Sequence, residues 1–255
     1  MIDIVKISEI VDEAARTATG IPQFSDTRAL GVDEAYAVQS LSMQRRYARG
    51  EKRIGFKMGL TSRAKMVQMG VEDVIIGRLT DEMREEEGGI ISVADYVHPR
   101  VEPEIAFLMK KPLSGVVSML EAMDAVGAVA GAIEIIDSRY NAFKFDLGDV
   151  IADNSSSSGF VLGNWFAPDT DISNLGMVLS KNGRAMEIGS SAAILGHPVR
   201  SLVSAARMVA QLNEELKPGD IVLAGGATAA FAVAPGDSIL LEVQSLGQVA
   251  FNVGA

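Results

Sequence analysis

Apolar residues recur at helical spacing over residues 5–18 and 32–49, and this pattern predicts two amphipathic helices near the start of the chain. The second helix is expected to begin near Asp33. It is expected to end at Gly50, because glycine readily adopts the left-handed conformation that closes a helix.

The pattern then changes to short apolar clusters separated by Gly, Pro and Asp, which predicts short strands joined by turns. A short helix is predicted between Ser62 and Gly70, and two more helices around 116–126 and 199–216 interrupt the strands. The tripeptide Pro-Gly-Asp occurs at 218–220 and again at 235–237. Each copy precedes a β-rich run, as expected of a turn followed by a strand.

These elements predict an α+β fold in which residues 1–60 form a smaller, helical N-terminal region. Residues 61–255 then form a β-dominated catalytic domain with flanking helices. We find no internal repeat, no low-complexity tract and no Ser/Gly linker that would separate independent domains.

Composition excludes several classes of protein. The chain has no cysteine, so disulfides, thiolate metal sites and cysteine nucleophiles are ruled out. The net charge of −10 argues against nucleic-acid binding, which needs a basic surface. Because the N-terminal segment mixes charges with apolar residues and no stretch is apolar enough to span a bilayer, we expect a cytoplasmic protein without a membrane segment.

Common catalytic motifs are also absent. The sequence has no G-x-G-x-x-G after a strand, no phosphate-binding loop and no G-x-S-x-G elbow. His98 and His197 both stand next to a proline, and we interpret them as structural residues. The remaining candidates for chemistry are carboxylates and a lysine.

Glu102 and Glu104 lie two residues apart in HPRVEPEIAFLM, so an extended chain places both carboxylates on one face. Neighbouring carboxylates repel unless solvent, a shared proton or a cation lies between them. Pro103 cannot donate a ladder hydrogen bond, which predicts a sheet edge or a bulge here. The pattern is compatible with a solvated strand face and with a metal site.

Glu134 favours the metal site, because it stands within GAIEIID, a run that is apolar on both sides and reads as a buried strand. A buried carboxylate must be paired, protonated or bound to a metal. Three carboxylates without cysteine indicate a hard cation, Mg²⁺ with Mn²⁺ as a possible substitute.

Lys57 is the second unusual charge, since apolar residues and two glycines surround it in IGFKMGLTS. It is either a surface lysine with a buried stem or a lysine in a pocket, where it would hold a substrate oxygen or form a Schiff base. Asp153 precedes a run of serines that is either a polar loop or part of a site. Two small-residue segments, 189–198 and 223–233, would let the backbone approach a ligand closely.

Several separate motifs, in this order along the chain, resemble the hydratase/decarboxylase branch of the fumarylacetoacetase superfamily. They are GFKMGLTSRAKMVQMGV, HPRVEPEIAF, AIEIIDSRYNAFKFDLGDVIADNSSS, GHPVRSL and LAGGATAA. The resemblance runs from about residue 30 to the C-terminus. It implies a mixed β-roll with helices packed outside, preceded by a smaller N-terminal region.

The resemblance also implies a set of site residues. It implies that Glu102, Glu104 and Glu134 bind Mg²⁺ and that Lys57 is the active-site lysine. Asp153 is expected to position Lys57 or a metal-bound water. Candidates for contact with the substrate are Leu60, Arg139, Ser155, Ser156, Ser190 and Thr228.

The branch contains decarboxylases of 2-oxohex-3-enedioate and hydratases of 2-hydroxypenta-2,4-dienoate, both of which act in the meta-cleavage catabolism of aromatic compounds. The hydratases tend to carry an acidic residue where this chain has Ile75. They also tend to lack sequences similar to residues 136–140 and 142–145 of this chain. Both features favour the decarboxylase. Hydration and a non-catalytic role as a partner subunit of the hydratase are the alternatives.

The expected partners follow from the same resemblance. The substrate would be a small 2-oxo dicarboxylate. Homo-oligomerisation and a complex with the pathway hydratase are implied, although no sequence feature fixes the number of subunits.

Overall fold

The computed structural model describes residues 3–63, 66–67 and 70–255. The helices of six residues or more within these ranges are α1 (Ile4–Arg16), α2 (Val32–Ala48), α3 (Met119–Asp124), α4 (Leu147–Ala152) and α5 (Pro198–Gln211). Both N-terminal helices are confirmed, and Gly50 has the expected positive φ of 113°. The helix predicted between Ser62 and Gly70 includes residues outside the described ranges.

The two later helices are confirmed but shorter than predicted. Helix α3 starts only at Met119, because Ser118 and Glu121 cap its first turn with reciprocal hydrogen bonds. Helix α5 starts after His197, whose Nδ1 accepts from the Val199 amide. It stops before Asn213, which has a positive φ of 58° that no helix continues through.

Thirteen described strands follow one another along the chain. They are β1 (Arg53–Gly59), β2 (Ile75–Thr80), β3 (Arg84–Glu85), β4 (Ile90–Ser92), β5 (Arg100–Met109), β6 (Val126–Ile136), β7 (Ser157–Leu162), β8 (Gly176–Lys181), β9 (Arg184–Ser190), β10 (Ile221–Leu223), β11 (Phe231–Ala232), β12 (Ser238–Val243) and β13 (Gly247–Gly254). Strands β10 and β12 directly follow the two Pro-Gly-Asp turns, as predicted.

These strands form two sheets in the described part of the chain. The larger has the order β2-β1-β10-β5-β6-β7-β3, with β11 also paired to β5, and the smaller has the order β4-β13-β12-β8-β9. Both are mixed, since β1 runs parallel to β10 and β4 parallel to β13 while most other pairs are antiparallel. The architecture is the predicted α+β roll with flanking helices.

Strand β1 belongs to the large sheet, paired with both β2 and β10. Residues 53–59 therefore lie in the sheet, although the predicted boundary at residue 60 assigned them to the N-terminal region. Helix α2 is also tied to the sheet, because the buried Gln39 side chain donates to the Ile76 and Ile151 carbonyls at 3.0 and 2.9 Å. Two ion-pair contacts of 2.6 and 2.7 Å between Arg49 and Asp12 fasten α1 to α2.

The two faces of the large sheet have different neighbours. Alternate residues such as Ile105 and Ile133 pack against Leu241 and Val249 of the small sheet in the main core. Gly131 marks how closely the sheets approach, since a Cβ there would lie 2.9 Å from a Val243 methyl carbon. The opposite face carries a second apolar cluster that includes Met43 of α2. The candidate site lies on that second face.

Pro103 corrects one expectation, because β5 is an interior strand and not an edge. On one side β5 pairs with β6 throughout. On the other side it pairs with β10 and β11, and the chain leaves the sheet between them. Pro103 lies in that gap, where its carbonyl accepts from the Ala227 amide at 2.9 Å, so the missing N–H costs no ladder bond.

Within the described residues, no helix has both the length and the hydrophobicity needed to cross a bilayer.

Candidate metal centre and active site

Three glutamates converge on the face of the large sheet that points away from the small one. Strand pairing places Glu102 of β5 directly opposite Glu134 of β6, and Glu104 follows two residues later on the same face. One carboxylate oxygen of each lies within 4.8 Å of the others. Glu102 is 5% exposed, and Glu104 and Glu134 are completely buried. The alternative of a solvated strand face is therefore wrong.

The electrostatics of this cluster are unfavourable without a cation. Burial raises the pKa of Glu104 well above its usual range, and the charges of Glu134 and Glu102 raise it further. Burial also raises the pKa of Glu134, although the nearby Lys57 ammonium opposes the shift. Both effects arise because a desolvated negative charge beside like charges is costly.

Hydrogen bonding leaves part of this charge uncompensated. Glu104 Oε2 accepts from the Gly225 amide at 2.6 Å. Glu104 Oε1 and Glu134 Oε2 are buried, and no donor in the described part of the chain hydrogen-bonds them. Buried carboxylate oxygens normally have partners, so their absence indicates that a ligand supplies them.

The donor set fits a hard divalent cation. All three side chains offer carboxylate oxygens as ligands. Ligands of this kind suit Mg²⁺ or Mn²⁺.

Lys57 is the basic residue of this site. It points to the same face from β1, is 3% exposed, and its Nζ lies 3.1 Å from Glu134 Oε1. The same Nζ donates to the Ser155 carbonyl at 2.9 Å. The alternative of a surface lysine with a buried stem is therefore wrong, and the predicted role of Lys57 in binding a substrate stays a prediction.

The segment after α4 forms a buried turn and not a polar surface loop. Asp153 is completely buried, and its carboxylate accepts from the Arg139 backbone amide at 2.9 Å and from the Arg139 guanidinium. Burial raises the pKa of Asp153 to about 6, against the lowering effect of Arg139. Both carboxylate oxygens of Asp153 thus contact Arg139, and it is Ser155 that connects this turn to Lys57.

The Arg139 guanidinium hydrogen-bonds several groups of the buried turn. Besides Asp153, its guanidinium donates to the Ser158 hydroxyl and to the Asp153 carbonyl. These contacts indicate that Arg139 stabilises the turn. Its predicted contact with a substrate carboxylate stays a prediction.

The other predicted substrate contacts lie at different places. Leu60 directly follows β1 with a positive φ of 57° and packs partly buried against the core. The Ser156 hydroxyl is buried, and no described residue hydrogen-bonds it. The Ser190 hydroxyl donates to Asn174 at the end of β9, and the Thr228 hydroxyl donates to the Ala229 carbonyl. Within the described residues, neither of these last two hydroxyls hydrogen-bonds a carboxylate of the cluster.

Sequence reasoning marked segment 223–233 for a close backbone approach but did not identify Gly225 or Thr61 as residues that support the cluster. Gly225 has a φ of 101°, and a Cβ there would lie 2.0 Å from Thr61 Oγ1, so only glycine fits where the amide reaches Glu104. The Gly-Gly pair at 225–226 was the available signal for a close backbone approach. Thr61 is 1% exposed and its hydroxyl has no hydrogen-bond partner among the described residues, but no sequence pattern distinguished it.

Comparison with known families gives this site a context. Residues 60–254 match the family model described as Fumarylacetoacetate (FAA) hydrolase C-terminal, which is more than half of the chain. The chain belongs to this family. The resemblance drawn from the sequence motifs is thereby confirmed, together with the fold that it implied.

Individual relatives are more specific. The chain is 57% identical over 249 residues to 4-oxalocrotonate decarboxylase of Pseudomonas sp., which covers 98% of this chain and 97% of the relative. It is 35% identical over 223 residues to 2-keto-4-pentenoate hydratase of Paraburkholderia xenovorans (strain LB400), with 86% and 83% coverage. Both branches are thus related to the chain, and the identity to the decarboxylase is higher.

A solved structure is also similar. The 4-oxalocrotonate decarboxylase from Pseudomonas putida G7, complexed with magnesium and adipate, has a TM-score of 0.95 and 38% identity. The match covers 98% of this chain and 97% of that chain. The similarity therefore extends over the N-terminal helices as well as the β-roll.

Proposed function

We propose that this protein is a magnesium-dependent decarboxylase of 2-oxohex-3-enedioate, also called 4-oxalocrotonate. The observation that carries the proposal is the buried cluster of Glu102, Glu104 and Glu134 with Lys57 beside it. The 57% identity to a 4-oxalocrotonate decarboxylase supports the choice of reaction.

Mg²⁺ would be held by the three glutamates. Their oxygen ligands suit it, and the solved relative contains magnesium. When bound, Mg²⁺ supplies a Lewis acid that polarises the 2-oxo group and stabilises negative charge on its oxygen. Mn²⁺ is the expected substitute.

The substrate assignment has a chemical basis. Adipate, which the solved relative binds, is a six-carbon dicarboxylate and has the same chain length as 2-oxohex-3-enedioate. The adjacent 1-carboxylate and 2-oxo group would face the carboxylate cluster, because only that end can chelate a cation. The C6 carboxylate then extends away from the cluster.

The reaction breaks the C5–C6 bond and releases CO₂. The electron pair of that bond forms a C4–C5 double bond, the C3–C4 double bond moves to C2–C3, and the charge arrives at the 2-oxygen. One proton then completes 2-hydroxypenta-2,4-dienoate. The catalytic requirement is therefore a site that stabilises charge on the 2-oxygen only as it develops.

Lys57 would meet part of that requirement. An ammonium has three N–H donors, and Lys57 Nζ hydrogen-bonds the Ser155 carbonyl while it forms an ion pair with Glu134. A remaining N–H is directed in our proposal to the 2-oxygen or the 1-carboxylate. Asp153 would act through the turn that carries Ser155, and Ser156, whose hydroxyl is buried and without a described partner, is the best supported substrate contact from that turn.

Remaining contacts and context are proposed on the resemblance. Leu60, Arg139, Ser190 and Thr228 remain candidates for shaping the distal part of the pocket. We propose that the enzyme acts in the cytoplasm, in meta-cleavage catabolism of aromatic compounds, as a homo-oligomer that also associates with the pathway hydratase. The absence of cysteine is compatible with a reducing compartment.

A comparison of two substrates tests the function. Purified protein with Mg²⁺ is assayed for CO₂ release from 2-oxohex-3-enedioate and for hydration of 2-hydroxypenta-2,4-dienoate. We expect rapid decarboxylation that EDTA abolishes and Mg²⁺ restores, with slow or undetectable hydration. Faster hydration would identify a hydratase instead, and no turnover of either substrate would support a non-catalytic partner subunit.

A further inference from the structure

We propose that Asn154 is a positioning residue for the reaction, because its side-chain amide fixes the Ser155 carbonyl that holds Lys57 Nζ. The inference rests on the proposed role of Lys57. Asn154 itself lies one residue away from the contact and is not placed against the carboxylate cluster by any described hydrogen bond.

The Asn154 amide pairs with β2 as a neighbouring strand would. Strand β2 ends the order of the large sheet, so one side of its backbone has no strand partner among the described residues. Asn154 Oδ1 accepts from the Arg78 amide at 2.8 Å, and Asn154 Nδ2 donates to the Arg78 carbonyl at 2.8 Å. Asparagine carries a separate donor atom and acceptor atom, as this two-bond contact requires, whereas ionised aspartate has no donor and alanine has neither group.

The turn needs such fastening because its backbone is strained. Asn154, Ser155 and Ser156 have φ angles of 48°, 55° and 58°, so three successive residues with side chains adopt the left-handed conformation. Each such residue outside glycine costs free energy and persists only where its surroundings hold it. Without the two amide bonds, the turn is expected to relax towards a more ordinary conformation.

The turn also packs directly on the strands that carry Lys57. Gly77 of β2 pairs with Lys57 of β1, and a Cβ on Gly77 would lie 2.5 Å from the Asn154 carbonyl oxygen. The same Cβ would lie 3.2 Å from Lys57 Cγ and Cδ. Gly77 thus lets the turn and the lysine stem lie side by side on one strand.

Two further contacts complete the path from Asn154 to Lys57. The Ser155 hydroxyl donates to the Ile76 carbonyl at 2.9 Å, and the Ser155 carbonyl accepts from Lys57 Nζ at 2.9 Å. A shifted turn would remove this acceptor and leave Glu134 as the other described anchor of the ammonium. The ammonium would then be misplaced relative to a bound 2-oxo acid while the carboxylate cluster stays intact.

Asn182 provides a matched control in the small sheet. It also has a left-handed φ, of 55°, in the turn between β8 and β9. Its Nδ2 donates to Asp237 at 2.8 Å and its Oδ1 accepts from the Ser238 amide at 2.8 Å. Asn154→Gly and Asn182→Gly each remove two amide bonds and keep a residue that tolerates positive φ, but only the first removes them beside Lys57.

The experiment compares kcat, KM, Mg²⁺ affinity and thermal midpoint for both variants and the wild type with 2-oxohex-3-enedioate. For Asn154→Gly we expect kcat to fall about 10- to 100-fold, with KM and Mg²⁺ affinity within about twofold of wild type. Asn182→Gly should keep kcat within about twofold of wild type. An Asn154→Gly variant with near-normal kcat, or an equal loss of kcat in Asn182→Gly, would overturn the proposal.

A double variant separates positioning from a general structural effect. If Asn154 acts through Lys57, Asn154→Gly should lower the residual kcat of Lys57→Ala by less than about twofold. A second full loss in that background would overturn the proposal. Should Asn154→Gly not fold, Asn154→Asp keeps the acceptor for the Arg78 amide, and a kcat within about twofold of wild type for this variant would overturn it as well.

The wild type in the same assay tests the proposed function separately. If it turns over 2-hydroxypenta-2,4-dienoate instead, the proposed reaction fails, and the same ratios are measured on that substrate. If Lys57→Ala has normal kcat, the proposed role of Lys57 is refuted, and the positioning role of Asn154 is refuted with it. A third outcome is that the wild type is active, Lys57→Ala is impaired and Asn154→Gly has normal activity. This outcome contradicts only the positioning role of Asn154.

Discussion

Glu104→Gln separates the effect of the Glu104 charge on metal binding from its effect on the stability of the metal-free protein. Glutamine removes the charge and keeps the shape of the side chain. The amide oxygen can still accept from the Gly225 amide, which donates to Glu104 Oε2 at 2.6 Å in the wild type. The variant loses one of three carboxylate ligands. Because loss even of a hydrogen-bond partner behind a ligand costs about 10- to 100-fold in metal affinity, we expect Mg²⁺ to bind at least about 100-fold more weakly.

In the absence of metal, the same substitution should increase the stability of the protein. Two carboxylate charges that lie within 4.8 Å of each other repel by at least about 3.5 kcal/mol at an effective dielectric constant of about 20. Burial and the neighbouring carboxylate charges raise the pKa of Glu104, so its charged form is disfavoured in the folded, metal-free protein. We therefore expect metal-free Glu104→Gln to gain about 1–2 kcal/mol, which raises the thermal midpoint by about 2–8 °C in a chain of this size.

Scanning calorimetry with EDTA measures the stability of the metal-free protein, and scanning calorimetry with Mg²⁺ measures the stabilisation that the ion adds. At a Mg²⁺ concentration of 100 times Kd the wild type should gain about 2.7 kcal/mol, and the variant almost nothing. Glu242→Gln is the control, because it removes an exposed negative charge from β12 and should change neither result. Wild-type Mg²⁺ affinity in Glu104→Gln, or a large loss of stability in its metal-free form, would refute the reasoning.

Two further outcomes are expected. Lys57→Ala should keep Mg²⁺ affinity and lose about 10²- to 10³-fold in kcat, measured by CO₂ release, and a near-normal rate would place the lysine outside the chemistry. Mg²⁺ affinity should fall as pH falls, because the raised pKa values of Glu104 and Glu134 let protons compete; titration calorimetry in two buffers should show proton release, and pH-independent affinity would contradict this.

The carboxylate cluster could be predicted because its signals are local. Glu102 and Glu104 share a strand face through the two-residue period, and Glu134 stands out within an apolar run. Lys57 was detectable for the same reason. The register that places Glu102 opposite Glu134 joins residues 32 positions apart in the sequence, and no local pattern encodes it.

The rest depends on contacts that the sequence does not encode locally. Pro103 predicted a sheet edge or a bulge, but the gap between β10 and β11 lets proline occupy an interior strand. Asp153 was expected to position Lys57 or a metal-bound water, yet its carboxylate contacts Arg139, and the backbone of Ser155 reaches the lysine. Asn154 gave no signal, because its two hydrogen bonds are to a strand more than seventy residues earlier.

Anomalous diffraction from crystals soaked with Mn²⁺ and a six-carbon 2-oxo dicarboxylate tests the central claim most directly. We predict one strong peak bound by an oxygen of each of Glu102, Glu104 and Glu134 at about 2.0–2.2 Å, with the 2-oxo acid on the same ion and within reach of Lys57 Nζ. A peak at other residues, or none between these three carboxylates at a saturating Mn²⁺ concentration, would contradict the account.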